Sequence, residues 1–173
     1  LNRPGDRPGD GGADGDDGAV HIADVDAVTR LLGRRPAGAF TVAVRHADGA
    51  PMVIVNAPFL ADGTPMPTRY WLVDPALREA VSRLESTGGV RQAEAEVDPE
   101  ALATAHARYA AERDAVVADD HIGPRPSGGV GGTRQGVKCL HAHLAWWLAG
   151  GGDPVGEWVA QQLGLATPEG MPD

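Results

Sequence analysis

Phe40-Thr41-Val42-Ala43-Val44-Arg45-His46, then Ala47-Asp48-Gly49-Ala50, then Met52-Val53-Ile54-Val55-Asn56 read as a β-hairpin. Both flanks are rich in β-branched residues, which suit a pleated, half-buried surface. Asp48-Gly49 tolerates the left-handed backbone that a tight hairpin turn needs, so Asp48 is a turn residue. After a proline-rich, glycine-punctuated loop over 57–68, Arg69-Tyr70-Trp71-Leu72-Val73 reads as one further strand. The rest of the patterned chain has helical spacing. The expected class is therefore α+β: a small antiparallel sheet, hairpin plus one strand, packed by four or five helices.

The helices announce their own starts. Asp24 caps a short helix to Leu32 whose apolar face is Val25, Val28, Leu31 and Leu32. Asp74-Pro75, Asp98-Pro99 and Asp153-Pro154 repeat one signal, an N-cap carboxylate followed by proline at the first helical position. The first of these helices stops at Gly88-Gly89, the second runs to about Ala118 and the third to Leu163. On the second, His106, Tyr109 and Arg113 fall at i, i+3 and i+7 and share one face. Their pattern favours a solvated face over a polar wall beside a site. A further helix is expected from about Gly136 to Ala149, its apolar face formed by Val137, Leu140, Leu144, Trp147 and Leu148. Its tryptophans read as core.

Outward from these elements the chain thins. The net charge is −9, and residues 1–26 hold seven Asp and two Arg, −5 of it, which leaves −4 for the remainder. Residues 1–23 are an acidic Gly/Asp/Pro-rich segment with too little apolar surface to fold. Residues 24–164 read as one globular domain, and 165–173 as a flexible tail. An acidic chain without a basic stripe excludes nucleic acid as the expected partner. No apolar run approaches the ~20 residues that cross a bilayer, and no signal peptide is visible. The one cysteine cannot form an internal disulfide and fits a reducing, cytoplasmic compartment.

Chemistry concentrates between Ser127 and Leu148, SGGVGGTRQGVKCLHAHLAWWL. This stretch carries the single cysteine, two of the six histidines and the densest glycine run. At a helix start, backbone N–H groups and the helix dipole favour a thiolate at Cys139, and a thiolate is both nucleophile and metal ligand. Cys139 and His143 are four apart and share a face of a regular helix; His141 joins Cys139 only if the helix begins later than Gly136. The preceding glycines can bend N–H groups around an anion, with Thr133, Arg134 and Lys138 adding donors and charge. Val137 separates Gly136 from Lys138, so this is not a Walker A loop. A mobile loop or lid is the favoured reading of the glycines.

Val130-Gly131-Gly132, the run Lys138-Cys139-Leu140-His141-Ala142-His143 and Asp153-Pro154-Val155-Gly156 together resemble a bacterial family, domain of unknown function 501. Leu32-Gly33-Arg34-Arg35-Pro36, Asp62-Gly63-Thr64-Pro65-Met66-Pro67-Thr68, Tyr70-Trp71-Leu72 and the helix with His106, Tyr109 and Arg113 extend the resemblance over about residues 28–160. Its members often carry cysteine where this chain has His46 and Asp74. Histidine and aspartate are also metal ligands. The resemblance therefore implies a site of His46, Asp74 and Cys139 with His141 or His143.

Two function classes follow. In the first, this site binds zinc or iron with one position open and activates water, and Lys138, Arg134, Thr133 and Arg113 hold a small anionic substrate. His106 and Tyr109 are further candidates on the neighbouring helix. In the second, the chain is a metal-stabilised or metal-free module that binds a protein partner. A third chemistry makes Cys139 a nucleophile with a histidine as base.

Overall fold

The computed structural model describes residues 22–167, in which the two β-branched runs pair as strands β1 (Phe40–Arg45) and β2 (Pro51–Asn56). Strand β3 (Tyr70–Leu72) adds antiparallel to β2, giving a three-stranded sheet of order β1-β2-β3. Helix α1 (Ile22–Leu32) precedes the sheet. Helices α2 (Pro75–Ser86), α3 (Gly89–Glu96), α4 (Pro99–Asp114), α5 (Leu140–Leu148) and α6 (Pro154–Leu163) follow it, with one 3-10 turn, Val130–Gly132, before α5. The class is α+β, as the pattern indicated.

A bulge sets which residues face which layer. Val42 pairs with Ile54 and Val44 with Val53, so Ala43 is an extra residue in β1. Before the bulge, Phe40 and Val42 join Ile54, Val73 and Val28 of α1 on one side of the sheet. After it, Val44 joins Val53 and Leu72 on the other side, in the main core with α2, α5 and α6. The middle strand is thus covered on both faces, which explains why its apolar run is nearly unbroken.

Asp74, Asp98 and Asp153 each accept first-turn backbone N–H groups ahead of a proline, as their motifs predict. Other boundaries differ from the pattern: Asp24, the expected cap, lies inside the first turn of α1, which is already helical at Ile22. Gly88 does end α2, but its positive φ of 93° lets a new helix, α3, begin at once. Ala93 of α3 is fully buried, so tertiary packing supplies what the sequence pattern lacked, and the α-helices number six among the described residues. Helix α4 stops at Asp114, short of Ala118.

Helix α5 is the centre of the molecule. Leu140, Ala142, His143, Leu144, Ala145, Trp146 and Trp147 are buried, so it is apolar almost all round, as an interior helix must be. It packs against β3 and α6, with α2 alongside. Both tryptophans are core residues. Most of the acidic segment over 1–23 and of the tail after 165 lies outside the described residues. Among the described residues no helix is long and apolar enough to cross a membrane.

Candidate functional site

Helix α5 starts at Leu140, a full turn later than Gly136. Gly136 has a positive φ of 64°, and the N–H of Val137 is held by the Glu94 carboxylate at 2.7 Å, so residues 136–139 cannot enter the helix. Cys139 becomes the N-cap, with extended backbone (φ −159°, ψ 120°), and its side chain makes no capping bond. The cap comes from another element. Glu85, in the last turn of α2, accepts the N–H of Leu140 at 2.7 Å.

The late start swings His141, not His143, next to the cysteine. His141 Nδ1 lies 3.7 Å from Cys139 Sγ and 3.3 Å from Glu85 Oε1. One ligand atom each from Glu85, Cys139 and His141 lie within 4.8 Å of one another. The other ring nitrogen has its own job: Nε2–H donates to the Arg78 carbonyl at 3.1 Å, with Ser82 Oγ a second acceptor at 3.3 Å. In the neutral ring this fixes the tautomer and leaves the Nδ1 lone pair aimed between sulfur and carboxylate. The protonated ring is stabilised there: the hydrogen bond with Cys139 foremost, then the Arg78 carbonyl and the charges of Cys139 and Glu85, raise His141 to about 9 against the opposing effect of burial.

Cys139 and His141 line one wall of a cavity of about 670 Å³ between α2, β3 and the start of α5. Arg34, Arg78, Ser82 and Thr68 line it as well, beside apolar wall from Trp71, Leu72 and Pro75. Arg34 lies over the Trp71 ring, 5.4 Å from its centroid. Arg78 donates to the Leu31 carbonyl at 3.1 Å, which ties α2 to α1.

The remaining expected residues are brought together elsewhere. His46 and Asp74 do meet: His46 Nε2 donates to Asp74 Oδ2 at 2.8 Å, while Asp74 Oδ1 caps α2 through the N–H of Leu77 at 2.6 Å. Neither belongs to the cluster of Glu85, Cys139 and His141. His143 points the opposite way from His141, into the core, and its Nδ1 donates to Asp153 Oδ2 at 2.7 Å, both side chains being fully buried. Asp153 Oδ1 simultaneously accepts the N–H groups of Val155 and Gly156 at the start of α6.

His106, Tyr109 and Arg113 share a face, but that face is buried, which corrects the expected solvated one. Its function is to hold the glycine loop. His106 Nδ1 accepts the N–H of Val130 at 3.0 Å and its Nε2–H donates to the Gly136 carbonyl at 3.0 Å. Burial foremost pushes the His106 pKa down, consistent with a neutral ring whose Nδ1 must stay an acceptor. Arg113 donates to the Gly128 carbonyl and pairs with Asp114 at 2.8 Å. Gly129 sits so close that an added Cβ would lie 2.4 Å from His106 Nδ1. The expected lid is therefore fastened to α4. Tyr109 accepts the N–H of Arg69 at 2.7 Å and abuts Trp146 edge-on; burial foremost raises its hydroxyl to about 12. Thr133 Oγ donates to the Gln135 carbonyl within the loop, and Arg134 and Lys138 are exposed. Lys138, Arg134, Thr133 and Arg113 do not line the cavity.

Glu85, Arg78 and Arg34 were not singled out from sequence. The signal was there for two of them. Arg78, Ser82 and Glu85 stand at i, i+4 and i+7, a polar stripe on one face of a helix whose opposite stripe is apolar.

Residues 42–161 match the family described as Protein of unknown function (DUF501), and the chain belongs to it. No curated protein and no solved structure matches the chain.

Proposed function

We propose that this family member binds one transition-metal ion, zinc or iron(II), on Cys139, His141 and Glu85, and uses it to hydrolyse a small anionic substrate held in the adjoining cavity. The observation that carries this reading is the ligand spacing. Metal bonds of about 2.3 Å to sulfur and about 2.0–2.2 Å to nitrogen and oxygen, at tetrahedral angles, put ligand atoms roughly 3.4–3.6 Å apart. The Cys139–His141 and His141–Glu85 separations, 3.7 and 3.3 Å, bracket that range. His141 is also supported as ligands of this kind are, with its second nitrogen donating to a backbone carbonyl. Glu85 can cap Leu140 and ligate at once, since a carboxylate has about four acceptor positions.

Three protein ligands beside an open cavity is the arrangement of catalytic sites; structural zinc sites close with a fourth. An ion there would act as a Lewis acid and lower the pKa of water in the open position. In this reading His46 acts at one remove. It fixes Asp74, Asp74 starts α2, and α2 carries Arg78, Ser82 and Glu85.

Elemental analysis of untagged protein reconstituted with zinc or iron(II) tests the site. About one ion per chain is expected for the wild type and for His143→Gln if that variant folds. Cys139→Ser, His141→Ala and Glu85→Gln should each lose the ion or weaken it about 10–100-fold or more. Wild-type protein that takes up no metal would sink the reading, and so would Cys139→Ser protein that keeps it.

A further inference from the structure

We infer that the cavity beside Cys139 and His141 recognises a phosphomonoester dianion carrying a small apolar or aromatic group, with Arg34 and Arg78 as its phosphate-binding cations. The inference rests on the metal reading for the chemistry, but not for the binding.

The argument begins with charge. The chain as a whole is acidic, at −9, and among the described residues three arginines are buried or half-buried, Arg69, Arg78 and Arg113. Arg69 pairs with Glu112 and Arg113 with Asp114, which leaves Arg78 as the one of the three without a carboxylate. Half-buried Arg78 and exposed Arg34 line the cavity beside Cys139 and His141, and neither forms an ion pair with a carboxylate among the described residues. Glu79, which also lines it, is engaged with Arg83 at 3.3 Å. A divalent ion on one thiolate and one carboxylate would be charge-neutral, so the cavity would keep a surplus of two positive charges from the arginines. A phosphate monoester carries about −1.5 to −2 at neutral pH, which matches that surplus; a carboxylate supplies half of it.

Geometry agrees with charge. Each guanidinium is held in place, Arg78 by its bond to the Leu31 carbonyl and Arg34 by the face of Trp71. A positioned guanidinium loses less entropy on binding and presents paired N–H donors that suit phosphate oxygens. Ser82 and Thr68 add hydroxyl donors. The rest of the wall, from Leu32, Leu72 and Pro75, is apolar and suits the organic half of an ester. Hydrolysis there forms one bond from water oxygen to phosphorus and breaks the phosphorus–ester oxygen bond; the protons of water end on the alcohol and on the inorganic phosphate.

The test is a titration of phenyl phosphate, followed by ³¹P NMR and calorimetry, against zinc-loaded and chelator-stripped protein. Phenyl sulfate, a monoanion of the same shape, serves as comparator. Arg34→Gln, Arg78→Gln, Arg78→Lys and the remote Arg91→Gln are measured alongside, with zinc content recorded for each. Saturable binding is expected, weakened at least ten-fold by Arg34→Gln and by Arg78→Gln, less by Arg78→Lys and not by Arg91→Gln. Phenyl sulfate should bind at least five-fold more weakly. Arginine-dependent binding that persists after zinc is stripped supports the subsite, even if the protein proves to hold no metal at all. Zinc bound at one per chain without phenyl phosphate binding overturns the phosphate inference and leaves the metal reading standing. Binding that both glutamine variants retain, or phenyl sulfate bound as tightly as phenyl phosphate, overturns it as well.

Discussion

His141 and His143 are two residues apart on one helix and live in opposite environments. His143 is fully buried, its Nδ1 committed to Asp153, and its Nε2 faces the core without a hydrogen-bond partner. His141 keeps a quarter of its side chain exposed at the cavity, with Nε2 committed to Arg78 and Nδ1 turned to Cys139 and Glu85. Which nitrogen is committed matters less than what faces the other one. Packed edge-on against the His106 ring at 5.8 Å and shut away from the surface, the His143 ring is a structural strut between α5 and α6. The uncommitted nitrogen of His141 faces a thiol and a carboxylate beside an open cavity, the surroundings that the proposed metal site requires. The difference teaches that a Cys-x-His-x-His run can be half site and half scaffold.

The comparison breaks first if the strut can be removed cheaply. Asp153→Ala should be the most damaging single change. It strips two N–H groups of their cap and leaves His143 buried opposite nothing. Breaking one partner of a buried pair of this kind costs about 3–5 kcal/mol, read as a lower denaturation midpoint at unchanged slope. A loss under about 1 kcal/mol, the ordinary value of an exposed cap, would mean the dyad is not what joins α5 to α6.

Next in size is Gly156→Ala, on the same side of α5. A Cβ there would lie 2.4 Å from Trp147 Cβ and 2.5 Å from the His143 carbonyl oxygen. Neither is a flexible side-chain end, so the two helices must separate, at about 1–3 kcal/mol for overpacking. If thermal melting shows no loss, α5 and α6 are packed less tightly than these positions require.

How much of this was legible beforehand differs between the two sides. The strut's components were readable one at a time: Asp153-Pro154 as a helix start, Leu140, Leu144 and Trp147 as an apolar stripe. What could not be read is that Asp153 turns back on His143, because that depends on the short Gly150–Gly152 connection placing α6 against α5. The hairpin, the strand and three aspartate caps were fixed by local chemistry and appear where local chemistry puts them. The site was legible only in part, for a single reason. Its third member, Glu85, is supplied by α2, more than fifty residues before Cys139, and the late start of α5 that unites Cys139 with His141 is imposed by Glu94 holding Val137. Both are long-range carboxylate-to-backbone bonds, which leave no periodic trace. His46 and Asp74 were read as ligands on the resemblance, and the pair does form; the local signal at Asp74-Pro75, a cap, describes what its second oxygen does.

On the cavity side the stability effects should be small. His141→Ala in metal-free protein removes a partly exposed ring whose ion pair with Glu85 at 3.3 Å is near the surface. Pairs of that type contribute about 0–1 kcal/mol, so above about pH 9, where the ring has given up its proton, the melting temperature should barely move while zinc uptake is lost. A destabilisation as large as that of Asp153→Ala would make His141 a second strut and remove the contrast.

The subtlest test is the pH dependence of that same ring. Its folded pKa is raised to about 9, chiefly by Cys139, above the ordinary value of 6.5. A raised pKa means that the folded state holds the proton more tightly than the unfolded chain. The resulting stabilisation is complete below about pH 6.5 and disappears as pH rises through about 9. Wild type minus His141→Gln, compared by urea unfolding of metal-free protein between these limits, should therefore shrink steadily toward high pH. Cys139 and Glu85 face the ring directly, so Cys139→Ser should flatten most of the slope and Glu85→Gln part of it. Zinc turns the same proton into a signal of opposite sense: the metal must displace it, so binding at pH 7 releases protons and tightens as pH rises. Calorimetry in two buffers of different ionisation enthalpy measures that release. Zinc that bound without it would have to sit elsewhere than on His141 Nδ1.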